Sequence, residues 1–90
     1  MDFEWDENKS KSNQGKHGIS FEEAKRLWED VGLTVLPSRF PDDDRFLAIG
    51  TIESIHWTAI FTERGSEIRI ISVRRARHNE RQLYEQHQPR

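Results

Sequence analysis

The side chains best able to do chemistry are concentrated near the end of the chain, where Arg74, Arg75, Arg77 and Arg81 fall within eight residues. Guanidinium groups stay charged at any working pH and bind two phosphate oxygens at once, so this run suits a phosphate clamp. Before it the chain alternates like a strand: Arg69, Ile71 and Val73 point one way, while Ile68, Ile70, Ser72 and Arg74 point the other. Arg74 would then leave the sheet on the side of an apolar row. Beyond it, Arg77, Arg81 and Tyr84 recur at i, i+4 and i+7 on a helix, with Glu80 three residues after Arg77. An Arg77–Glu80 ion pair on a surface helix would account for part of this pattern, since surface arginines commonly do no more than keep a protein in solution. Four of them at one strand–helix junction exceed that need.

A second group, Asn13, Lys16, His17 and Gly18, closes a segment from Asp6 to His17 that contains no large apolar residue. A helix there would be polar all round, and ordinary core packing could not hold it. The helix dipole alone favours Lys16 and His17 in its last turn. Lys9, Asn13 and Lys16, however, share one face, which points to a binding task. Glycine-rich phosphate loops, paired histidines at i, i+4 and a nucleophile elbow are all missing. Asp42, Asp43 and Asp44 lack both histidine and the spacing of a calcium loop.

These groups must be positioned by short elements. Asp2–Trp5 alternates as a half-buried strand. Asp6 is a helix N-cap, and Gly18 can take the left-handed conformation that ends a helix. Ser20 and Glu23 form a capping box for a second helix, whose stripe of Phe21, Ala24, Leu27, Trp28 and Val31 belongs on the core and which Gly32 ends. Leu33–Leu36 reads as a strand closed by Pro37. After the acidic loop Pro41–Asp44, strand-like runs at Arg45–Ile52, Ile55–Glu63 and Glu67–Val73 are joined by links too short for anything but an antiparallel meander. A helix over Arg77–Gln86 completes the order β-α-α-β-β-β-β-α, an α+β fold with helices packed on an antiparallel sheet.

A chain of 90 residues has material for one domain and one core. Only 33% of the residues are apolar and none is cysteine, so the core is thin and unreinforced, and a bound partner is an expected source of stability. No apolar run approaches the ~18 residues of a membrane span and no leader pattern opens the chain, so the expected location is the cytoplasm. The net charge of −2 argues against a general affinity for nucleic acid, yet it is unevenly spread. Residues 1–31 carry eight carboxylates against five cations, whereas residues 69–90 carry six arginines, Arg90 included, against Glu80 and Glu85. A local basic face can bind phosphate on an acidic protein.

Phe3-Glu4-Trp5-Asp6, Lys9, Asn13, the run from Lys16 to Ala24, Arg45, Ile49-Gly50, the run from Arg69 to Ala76, Glu80-Arg81 and Tyr84 together resemble the BrnT toxin family nearly end to end. Val73 stands where a smaller residue is usual and Trp28 where Phe is expected. The resemblance implies a RelE-like fold, RNA as substrate, cleavage without metal or cofactor, and neutralisation by a BrnA-type antitoxin. That partner would carry a ribbon–helix–helix domain and make all DNA contacts of the complex.

Metal-free RNA cleavage needs cations on the phosphate and groups that move a proton. Lys16, Arg74 and Arg77 are the expected clamps, and Glu80, His17 or His78 the expected proton carrier. Imidazole is the better-matched type, because a glutamate beside arginines stays ionised. Arg45, Arg75, Arg81 and Tyr84 are expected to bind or stack the RNA. A competing reading is a non-catalytic toxin that poisons a target such as DNA gyrase by binding it. A plain RNA-binding module fits less well, because Trp57, Phe61 and Phe46 are better spent on the core than exposed as stacking platforms.

Overall fold

The computed structural model describes residues 1–39 and 43–89; Pro41 and Asp42 of the acidic loop, and Arg90, lie outside the described residues. Strands β1 (Asp2–Glu4), β2 (Thr34–Pro37), β3 (Phe46–Ile52), β4 (Ile55–Arg64) and β5 (Glu67–Arg75) form one sheet in the order β1-β5-β4-β3-β2. Helices α1 (Glu7–His17) and α2 (Phe21–Ala24) follow β1, and α3 (His78–Gln86) follows β5. This is the expected order of elements and an α+β architecture. β3, β4 and β5 form the expected meander, and the β3–β4 link turns on Glu53 and Ser54, both at positive φ, as a two-residue hairpin requires. The sheet is nevertheless mixed. β1 pairs parallel with β5, placing Phe3 opposite Ile68, a contact between distant segments that no local pattern announces.

Register sorts the side chains into two faces. Ala48, Ala59 and Val73 lie in one row, and Ile49, Thr58 and Arg74 lie in the next, on the opposite face. The first face carries the core, where Phe21, Ala24 and Leu27 pack against Ala59, Phe61 and Val73. Trp57 and Phe61 are buried there, and Phe46 stacks on Phe61. The strict alternation expected for β5 fails at a bulge: Phe61 opposes Ile70 while Ile60 opposes Ser72, leaving Ile71 as the extra residue. Ile70 and Val73, three apart, are therefore both buried.

The polar helix α1 is docked by hydrogen bonds instead of apolar contacts. Ser10 accepts from the Phe21 N–H at 2.9 Å, and Asn13 donates to the Ile19 carbonyl at 2.9 Å while accepting from the Val73 N–H at 3.1 Å. β1 pairs only with Glu67–Arg69, so Asn13 takes up a backbone donor on the edge of β5 that β1 does not reach. Asn13 is thus buried structure, while Lys9 and Lys16 remain exposed on the same helix.

α2 is shorter than its apolar stripe. After Ala24 the chain tightens into a 3₁₀ segment, Lys25–Glu29, and Asp30 leaves it in an extended conformation. Val31, expected on the core, is turned outward and is 98% exposed.

Candidate functional site

α3 starts where β5 ends, and Glu80 in its first turn reaches the sheet face that carries Thr58 and Arg74. The Glu80 carboxylate accepts from Arg74 Nη1 at 2.7 Å and Nη2 at 2.9 Å, from Thr58 Oγ1 at 3.0 Å and from the Arg77 backbone N–H at 2.8 Å. Only 5% of Glu80 is exposed. Burial by itself raises a carboxyl pKa, but here the hydrogen bonds from Arg74, the Arg77 N–H and Thr58, together with the Arg74 charge, prevail and bring it down to about 2. Hydrogen bonding to Glu80, with the Glu80 charge, holds the Arg74 guanidinium above the usual arginine range against the opposing effect of burial.

Glu80 is therefore an anion held by Arg74, Thr58 and the Arg77 N–H, and it in turn fixes the Arg74 guanidinium. The Arg77–Glu80 contact expected between side chains is made by the Arg77 backbone instead. Sequence spacing pairs residues three or four apart on a helix and carries no signal for a partner six residues back on a strand.

Beside this pair opens a cavity of about 360 Å³, at whose rim Arg74 and Arg77 are joined by Arg39 and Asn79. Arg39 was not among the expected site residues, because it stands alone after Pro37 with no pattern around it. Lys16 and His17 line a different cavity of about 190 Å³ with Ile71 and Ser72. Ser72 and Arg74 are alternate residues of β5, about 7 Å apart along the strand, so the two cavities flank the same stretch of strand.

The other expected residues are dispersed. Arg75 lies over the Trp57 ring at 5.2 Å and, with Arg81 and His56, lines a third cavity of about 160 Å³. His78 and Arg81 border a groove along α3 that also touches Glu85. Arg45 is held near Asp43 at 3.7 Å and lines none of these cavities. Tyr84 is 7% exposed, its hydroxyl donates to Asp30 Oδ2 at 2.7 Å, and its ring meets the His56 ring edge-on. It has no free face on which a base could stack.

Asp30 also accepts from the Thr51 N–H at 2.8 Å and Thr51 Oγ1 at 3.1 Å. Burial pushes its carboxyl up, and the bonds from Tyr84, Gly32 and Thr51 overcome that and lower it. Asp30 thereby ties α3 to the end of β3, a positioning role hidden in the sequence behind an ordinary helix-end aspartate.

Among the described residues, no three His, Cys, Asp or Glu side chains are grouped so as to hold a metal ion, and no helix is long and apolar enough to cross a membrane. A family model described as ribonuclease toxin, BrnT, of type II toxin–antitoxin system matches residues 5–80, a span that includes Lys16, His17, Arg74, Arg77 and Glu80. No curated protein matches the chain.

Proposed function

Because the chain belongs to the BrnT family of type II toxin–antitoxin ribonuclease toxins, we propose that it cleaves RNA without a metal ion at the cavity rimmed by Arg39, Arg74 and Arg77. The observation that carries this reading is the bidentate Arg74–Glu80 pair. A guanidinium held by a buried anion stabilises developing phosphate charge without reorganising at the moment of reaction. Arg77, exposed at the helix start, supplies a second cation on the same rim.

In this mechanism the 2′-oxygen attacks phosphorus and the bond to the 5′-oxygen breaks, giving a 2′,3′-cyclic phosphate and a free 5′-hydroxyl. One group takes the proton of the 2′-hydroxyl and another returns a proton to the leaving oxygen. His17 is the proton carrier favoured here, because its cavity adjoins the same strand as the arginines and Lys16 stands next to it. The neutralising partner is a BrnA-type ribbon–helix–helix antitoxin, and the pair works in the cytoplasm.

The test is to incubate the purified chain with RNA in EDTA and analyse the new ends. Cyclic phosphate and 5′-hydroxyl termini are expected. Cleavage only after magnesium is restored, or 5′-phosphate ends, would overturn the mechanism.

A further inference from the structure

The cavity beside Arg74 has a second property that phosphate binding does not use. Its floor is apolar: Leu36 and Leu47 face each other across β2 and β3, Leu83 approaches from α3, and all three are only half-buried. They stay partly uncovered because α3 spans nine residues and crosses only part of this sheet face. An apolar floor under a rim of arginines matches a ligand that is flat and apolar at one end and anionic at the other. Its volume of about 360 Å³ falls within the roughly 300–1,000 Å³ of small-molecule pockets. At the rim, the Asn79 side chain is exposed and, among the described residues, makes no hydrogen bond within the protein.

We propose that this cavity is a base-reading subsite: the leucine floor takes one unstacked nucleobase, Arg39 and Arg77 hold the adjoining phosphates, and the Asn79 amide reads the base edge. A carboxamide offers one donor and one acceptor side by side, which can pair with the N6 and N7 of adenine in two bonds. Bases of single-stranded RNA are splayed out and read along such edges. Every unpaired base has a donor–acceptor edge, and adenine is the preferred occupant because it alone presents one without a carbonyl oxygen to desolvate over the leucine floor. The inference rests on the ribonuclease reading of this same cleft and assigns that cleft a sequence preference.

Two measurements separate the inference from the reading beneath it. In the first, a pool of randomised RNA is cleaved by the unaltered chain, by Asn79→Ala and by Arg64→Ala, and the cut sites are sequenced. Adenine should be enriched at one fixed position beside the cut, the enrichment should fall about tenfold in Asn79→Ala, and Arg64→Ala should keep it. No enrichment at any position, or enrichment unchanged in Asn79→Ala, overturns the subsite while leaving the ribonuclease reading in place.

In the second, adenosine and uridine monophosphates are titrated separately into the labelled chain. Adenosine monophosphate should shift the Leu83 methyl and Asn79 side-chain amide resonances with about tenfold tighter binding than uridine monophosphate. Those shifts in a chain that cuts no RNA would sustain the subsite and remove the ribonuclease. Resonances that respond to neither nucleotide, or only to an antitoxin, would overturn the subsite.

Discussion

Arg74 has two tasks, and they cannot be separated by deleting it. It faces the proposed RNA cavity, and it also neutralises a carboxylate that is 5% exposed. Taking one partner from a buried ion pair costs about 3–5 kcal/mol, because the remaining charge is left without compensation. Arg74→Ala is therefore expected to lose roughly 3 kcal/mol of stability in urea denaturation, whereas Arg64→Ala, on an exposed hairpin, should stay within about 0.5 kcal/mol. Equal stability of the two variants would mean that the pair is not a structural clamp.

The same pair sets a pH dependence. The Glu80 carboxyl titrates near 2 in the folded chain, below its ordinary value of 4.5, so its contribution is fully present above about pH 4.5 and is lost as pH falls toward about 2. Its size is on the order of 3 kcal/mol. Glu80→Gln should flatten the acid limb of a stability–pH curve; an unaltered limb would assign acid unfolding to other carboxylates. The arginine density was legible in the sequence, and so was the tendency of Glu80 to stay ionised. Its partner was not, because the hydrogen bonds that select Arg74 arise only once a strand and a helix meet.

The elements show the same division between local and non-local causes. Capping residues announce themselves: Asp6 accepts from the Asn8 and Lys9 N–H groups, and Ser20 and Glu23 close a reciprocal box, all within three residues. What holds α1 in place was visible only as a deficit of apolar side chains, since Asn13 is joined to a strand residue 60 positions away. Asn13→Ala leaves the Val73 N–H and the Ile19 carbonyl without partners, and each orphaned buried group costs about 1–3 kcal/mol. Loss of about 2 kcal/mol or more is expected, with faster amide hydrogen exchange at Val73 than in the unaltered chain. A variant with unchanged exchange there would show that α1 is held by something else. The β5 bulge and the 3₁₀ turn before Asp30 were similarly hidden, because each interrupts a periodicity that the residue pattern on its own continues.

At the level of the whole molecule, the charge asymmetry and the thin core were readable from composition, and they point to an RNA-facing side and to a stabilising partner. The parallel return of β5 beside β1 was not readable, since pairing between distant segments leaves no short-range trace. A partner that binds only the folded chain adds RT ln(1 + [L]/Kd), about 4 kcal/mol at a thousandfold excess over Kd. The melting temperature should accordingly rise with antitoxin concentration, and a flat response would leave the core to stand by itself.

Whether RNA is cut at the arginine cavity is decided through Arg77. Its backbone N–H caps Glu80 whatever side chain it carries, so Arg77→Ala removes a guanidinium without disturbing the buried pair. Initial cleavage rates of Arg77→Ala and Arg64→Ala are to be compared in EDTA at equal folded fraction. A loss of about 10²-fold or more is expected for Arg77→Ala, the usual effect of removing one transition-state donor, with near-normal cleavage by Arg64→Ala. Equal rates in the two variants would contradict cleavage at this cavity.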